Sequence, residues 1–495
     1  MTRKSQRLLT ISLLITATTA PAVVAADVDY TKGVLIVNED WYGHNNSTVN
    51  HLDPDNADGD YWTYRAIRKE NPGMQLGCTN QYGAYWDGRL YLIAKQDKNP
   101  GASVQGGRIT VADAATLKII KQLPLIDPSG AQCDGRGFIG VTADKGYVST
   151  SNGVWILDLR TIEVKSMVKG TENPEGPGSG GNQNTSGSLY HGQCGSMVSA
   201  AGRIFVAHQS AGLLVVDPSA DEVIETVKLD VVSEKAAIGS VVKSKDGMLW
   251  LSVAKDANGS GAALPYLVKV NPATLDAEVV SVSELGATYG PANSWYAWTP
   301  DGFFASQRHN VIYWTGGPNS WFSGTSLFRY DIDAGQLSQI VDLTKEGLNW
   351  KIYGCSVRIH PVSDEIYMSV YHNFQDQTYV TRRYTSDGKL LKEYTMIAQY
   401  WFPSLPIFPE GDEALAVREV SQDAPKGSIR YADGNLYIDN IRATSVRVYD
   451  MSGKMMAELP VSPSDGGIYP LALPQGMYVV TDGLQTVKIF AKFAL

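Results

Sequence analysis

One motif recurs along this chain and restricts its folds more than anything else. A short apolar strand runs into a turn built on Asp-Gly, Ala-Gly or a similar pair, and a strand rich in aromatic and β-branched residues follows. It reads YGAYWDGRLYLIA at Tyr82 to Ala94, FIGVTADKGYVST at Phe138 to Thr150 and SMVSAAGRIFVAH at Ser196 to His208. It returns as SVVKSKDGMLWLSV from Ser240, WYAWTPDGFFASQ from Trp295 and SVRIHPVSDEIYMSV from Ser356. Period-2 patterning around such turns is hairpin chemistry, because those residues accept the positive φ the turn needs. A second hairpin follows each of the first five, turning on Asp113, Asp158, Asp217, Asn271 and Asp331. Asx side chains bond their own backbone two residues on, so these turns need no metal.

Four strands per repeat, at about 45 to 60 residues per period, predict the blades of a β-propeller. Six units run from Tyr82 to about Ile397. Two or three strands stand before them without an innermost partner (GVLIVNE, STVNHLDP and GDYWTYRAI), and FPSLPIFPE, Phe402 to Glu410, stands after them alone. Joining the leftovers makes one more blade and removes the exposed edges of a split ring. The expectation is an all-β protein: a seven-bladed β-propeller over residues 27–412, its last blade closed by 33–67 with 401–410. Eight and six blades are the alternatives.

Residues 1–26 read as a signal peptide: Arg3, Lys4 and Arg7, an apolar run from Leu8 to Ala20, then Val24-Ala25-Ala26. The run is too short and Thr-rich for a membrane span. No Cys follows it, so the expected product is exported, to the cell surface, the outer membrane or the medium, and is not a lipoprotein. Cleavage would move the net charge from −9 to −12, because only Arg3, Lys4 and Arg7 are charged before Asp27. Such an acidic chain argues against nucleic acid and anionic membranes as partners. The four cysteines, Cys78, Cys133, Cys194 and Cys355, each precede an innermost strand. Buried free thiols are expected, since equivalent blade positions are poorly spaced for disulfides and no C-x-x-C exists.

Two sets of loops should share one face of such a ring: the connections between blades, and the loop joining the second and third strands of each blade. MQLGCTNQYG, GAQCDGRG, SLYHGQCG, NWKIYGC and AQYWFPS belong to the first set. NEDWYGHNNS, the stretch Ser306 to Gly324 and YHNFQDQ belong to the second. Both are dense in aromatic, His, Asn and Gln residues, which offer flat rings and amides to a large polar ligand. The candidate binding residues are Trp41, Tyr42, His44, Gln81, Tyr82 and Arg136, with His191, Gln193, Trp295, His309 and Tyr353. The polar, Gly-rich run from Thr171 to Gly187 is a surface excursion or a lid over that face.

No G-x-S-x-G, H-E-x-x-H, Walker or Rossmann motif occurs, and the predicted mouth is poor in Asp and Glu. A binding protein rather than an enzyme is expected, with no catalytic residue, no metal ligand and no cofactor. The run Asp53 to Tyr61 fails as a calcium loop because Ala57 takes a ligand position, and reads as a turn between outer strands.

After a linker at 413–424, residues 425–495 form short alternating strands of a small β-sandwich. Its V-x-V-Y-D-x-x-G-K run at Val446 to Lys454 and L-P-x-G-x-Y-x-V run at Leu473 to Val480 resemble the C-terminal sorting domain of type IX secretion. GVLIVNEDWYGHNNSTVNHLD and FPSLPIFPE, with the hairpins between them, resemble the YncE-like, DUF5074-type surface propellers of Bacteroidetes. The resemblance to the BtuG-like members implies capture of cobalamin and delivery to a TonB-dependent outer-membrane transporter. Cobalamin is then a bound ligand, not a cofactor. A glycan- or protein-binding propeller, or a propeller enzyme of the glycan lyase, hydrolase or lactonase type, is the alternative.

Overall fold

A computed structural model describes residues 28–174, 191–255, 263–291, 295, 300, 302–317, 324–373 and 377–409. It further describes 428–432, 434–439, 445–450, 454–461, 467–481 and 486–491. The predicted signal peptide, the linker at 413–424 and most of the Thr171 to Gly187 run lie outside the described residues. Among the described residues, no helix is long and apolar enough to cross a membrane.

The protein is all-β. Six four-stranded antiparallel sheets follow one another in chain order, each laid down from its first strand to its fourth. Their first strands are Cys78–Trp86, Gly135–Gly140, Cys194–Ala200, Ala237–Lys243, Phe303–Ala305 and Lys351–Ile359. A further sheet takes its inner strand, Pro403–Ile407, from the far end of the chain. That strand pairs with Val34–Asn38 in the register Leu35 to Ile407 and Val37 to Leu405. Thr48–Leu52 and Trp62–Thr63 complete it. An inner strand has a partner on one side only, which is where a sheet accepts residues like Pro403 and Pro406.

The inner strands touch one another in sequence order. Pro403–Ile407 touches both Lys351–Ile359 and Cys78–Trp86, so the contacts return to their start. The order is propeller-like. It explains the burial pattern: the second strands Leu249–Ala254 and Ile366–Tyr371 are buried at every position, because a neighbouring sheet covers each face. Outermost strands such as Glu163–Met167 are largely open to solvent. Gly83 marks how closely inner strands approach, since a Cβ there would lie 2.4 Å from Cδ1 of Ile407.

The expected turn chemistry is present. Asp158 Oδ1 accepts from the backbone N–H of Arg160 and Thr161 at 2.9 and 3.0 Å, and Asp113, Asp217, Asn271 and Asp331 act alike. The Asp53 to Tyr61 run is the turn between two outer strands. All four cysteines are buried and free.

One hairpin is out of phase with the sequence reading. Phe303, expected to open the second strand of the fifth unit, lies one strand earlier, and Asp301 is outside the described residues. Phe303–Ala305 is the inner strand itself and pairs with Val311–Gly316, Phe303 opposite Trp314. The stretch Ser306 to Gly324 therefore opens with a tight turn at 306–310 and the strand Val311–Gly316, and its residues 318–323 lie outside the described residues. Period-2 patterning identifies strands, but two successive hairpins look alike to it.

The C-terminal segment forms a three-stranded sheet (Ser428–Ala432, Asn435–Asp439, Gly467–Pro470) and a four-stranded one (Met455–Pro460, Ser445–Asp450, Gly476–Thr481, Thr486–Ala491). Leu436, Val446, Val448 and Val480 share one apolar core.

Candidate functional site

Inner strands begin, and second strands end, at the same end of the ring. Strand Val34–Asn38 therefore delivers residues 39–46 to that end. The inner strands deliver Gln81, Arg136 and Tyr353. Glu39 and Asp40 donate their N–H groups to the carbonyls of Phe402 and Trp401 at 2.9 and 3.0 Å, which ties the closing connection to this mouth.

Two layers result. The rim is aromatic: Trp41 (38% exposed), Tyr42 (37%) and His44 are open to solvent. Trp41 stacks on His44 with ring centroids 4.2 Å apart, and Tyr400 meets Trp41 edge-on at 4.7 Å. Tyr400 was not among the expected binding residues. Only the pairing of Pro403–Ile407 with Val34–Asn38 brings it to Trp41.

Beneath the rim the groups are polar or ionisable, and buried or half-buried. Gln81 Nε2 and Tyr353 Oη both donate to Glu39 Oε2 at 2.8 Å. Asp134 Oδ1 accepts from Arg108 Nη1 at 2.9 Å, and Asp40 Oδ2 accepts from Thr48 Oγ1 at 2.7 Å. The expectation of a mouth poor in carboxylates is thus corrected. Glu39, Asp40 and Asp134 come from three short loop positions that look unremarkable until the sheets converge. Burial pushes the Asp40 carboxyl up to about 8, opposed by the Thr48 bond and by Arg68 and Arg65. Burial also brings the Lys95 ammonium down to about 8, against the pull of Glu39. Burial pushes the thiols of Cys78 and Cys133 up to about 12, so neither is a nucleophile.

Gln193 Oε1 accepts from Nε and Nη2 of Arg136 at 3.1 and 2.7 Å. Its Nε2 donates to the Trp295 carbonyl at 2.7 Å. Arg136, Gln193 and Trp295 are therefore one network. Trp295 contributes a carbonyl, not a ring: its side chain is buried in an apolar cluster and Nε1 donates to Ile238 O at 2.9 Å. Gln81, Tyr82 and Arg136 also line a cavity of about 90 Å³ inside the ring. His191 is half-buried just ahead of Gln193.

His309 does not join them. It lies in the 306–310 turn, at the opposite end of the ring, with Nε2 3.6 Å from Oδ2 of Asp364. The same phase error that moved the fifth hairpin misplaced this residue.

The class is defined by these features: an all-β, propeller-like series of sheets with an aromatic-rimmed polar mouth. The chain belongs to the family described as Domain of unknown function (DUF5074), whose model matches residues 32–409. No curated protein matches the chain in sequence. Among solved structures it is similar to AztD of Citrobacter koseri, at 12% identity and TM-score 0.39, over 90% of this chain and 97% of that one. It is similar to PorZ, a surface component of the type-IX secretion system of Porphyromonas gingivalis, at 12% identity and TM-score 0.44, over 90% and 63%. The extracellular domain of BT4673 from B. thetaiotaomicron matches at 11% identity and TM-score 0.43, over 94% and 58%. The chain thus spans less than two thirds of the last two.

Proposed function

We propose that the sheets form a closed seven-bladed β-propeller of an exported capture protein. Its mouth binds a large, flat-faced, amide-rich molecule without transforming it, and a corrinoid is the most specific candidate. The observation that carries this reading is the exposed Trp41–His44 stack, with Tyr400 edge-on to it, above a polar layer. Flat rings at a mouth are suited to stacking, and the amides of Gln81 and Gln193 sit just below. The cavity inside the ring, about 90 Å³, is far below the roughly 300–1,000 Å³ of sites that engulf such ligands. The ligand therefore lies across the mouth. Delivery to a TonB-dependent transporter, and export through a type IX-like tail, complete the reading.

Isothermal titration of the exported chain with cyanocobalamin tests it. Saturable heat with a shift of the visible spectrum is expected, and its absence at micromolar protein overturns the corrinoid assignment. A second reading, an enzyme acting on glycans or lactones, is favoured by Glu39, a partly exposed carboxylate held by two donors. Hydrolysis of aryl glycosides or lactones that disappears in Glu39→Gln would replace capture by catalysis.

A further inference from the structure

We infer that the cavity inside the ring is an oxyanion site, built on Arg358 with Arg136 and separate from the aromatic rim. Arg358 and Arg136 lie on two non-adjacent inner strands, and both line the same cavity with Gln81, Ser196 and Phe138. Four of the nine half-buried or buried arginines among the described residues pair with a carboxylate, Arg329 with Asp331 among them. Arg108 has Asp134, Arg382 has Glu346 and Glu393, and Arg383 has Asp55 and Glu365. Among the described residues Arg358 has none. Its hydrogen bonds go through Nη1 alone, to the carbonyls of Val357 at 2.8 Å and Cys355 at 3.5 Å. Nε and Nη2 remain for something else.

A half-buried guanidinium without a counter-charge is costly, and more notable in a chain of net charge −9. The walls suit an anion. Ser196 Oγ accepts from the Val241 N–H at 2.8 Å, which leaves its own O–H to donate. Oε1 of Gln81, buried and without a hydrogen-bond partner, can accept the proton of a monoprotonated anion. The volume of about 90 Å³ equals roughly three waters, the size of one phosphate or a short carboxylate. Planar donors in a low-dielectric channel favour such groups.

The test uses the exported chain and inorganic phosphate, titrated calorimetrically and by thermal melting against chloride of equal ionic strength. Phosphate is expected to bind saturably. Arg358→Met is expected to weaken it by about tenfold or more, the worth of one charge-assisted hydrogen bond. Arg358→Lys, which keeps the charge and loses the fork, should fall between. Arg160→Met, which removes an exposed cation on an outer turn, should change nothing. Equal binding by wild type and Arg358→Met, or no saturation below about 20 mM (some 2 kcal/mol of binding), overturns the inference. Phenyl phosphate separates the two sources of the anion. If it binds as well as phosphate, the site takes a terminal group of a larger molecule. If it fails where phosphate succeeds, the anion is free. Trp41→Ala should leave phosphate binding intact, so loss of rim ligand and loss of anion are read separately.

Discussion

The two ends of the ring are made of the same inner strands and serve different ends. At the mouth, long connections carry exposed rings over buried ionisable groups, several held away from their ordinary protonation. At the opposite end, first and second strands meet in tight turns whose polar groups fasten one sheet to the next. There Ser306 Oγ donates to Asp364 Oδ1 at 2.7 Å, and Asn310 Nδ2 donates to Asp246 Oδ2 at 3.2 Å. The contrast teaches that a packed series of sheets lets one end specialise in fastening while the other holds groups of no evident structural necessity. Exposed Trp41 and Arg358, which has no carboxylate among the described residues, are two such groups.

The largest effect should fall where the mouth rests on crowded backbone. A Cβ on Gly77 would lie 2.4 Å from the carbonyl oxygens of Gln96 and Gly107, neither of which can yield cheaply. Gly77→Ala should cost about 3 kcal/mol or more, read as a lower denaturation midpoint. An unchanged midpoint would mean the mouth loops are loosely seated.

At the opposite end, Asp364→Ala leaves buried Ser306 without its acceptor and puts Ala at φ 61°, which Asn tolerates better. A loss of about 2 kcal/mol is expected, less for Asp364→Asn, with ligand affinity untouched in both. An affinity change would erase the division between the ends.

Trp41→Ala should do the reverse: a stability change within about 0.5 kcal/mol, as for surface positions, and at least a tenfold loss of mouth-ligand affinity. Stability lost with affinity retained would make the stack a fastening too.

The remaining signal is a pH dependence. Asp40 keeps its proton to about 8 in the fold and releases it near 4 when unfolded. Between those values the native state binds more protons, so its contribution is full below pH 4 and declines as pH rises towards 8. Asp40→Asn should flatten that decline, and Asn accepts the φ of 52° there. Lys95 acts oppositely: its folded value near 8 lies below the unfolded one, so stability recovers above pH 8. Parallel pH profiles of wild type and Asp40→Asn would show that Asp40 is hydrated.

Much of the sheet arrangement was legible in the sequence. Alternation, Asx turns and the two unpartnered ends are local patterns, and a leftover inner strand needs its sheet wherever that sheet begins. The residues Gln81, Arg136, Gln193 and Tyr353 were legible as mouth residues because each sits at the head of an inner strand. Glu39's two donors, the Tyr400 ring and the meeting of Arg358 with Arg136 at one cavity were not. Each depends on a neighbour far along the chain, and Trp41 meets Tyr400 only because Pro403–Ile407 returns to Val34–Asn38. His309 failed for a different reason: hairpins have a period, but no mark saying which of two comes first. By itself, then, the sequence determined the kind of strand, the turns and the need for closure, because these rest on backbone geometry and local burial. Tertiary structure alone decided which side chains share the mouth, which end His309 occupies and which arginines line the inner cavity, because those follow from convergence of strands distant in sequence.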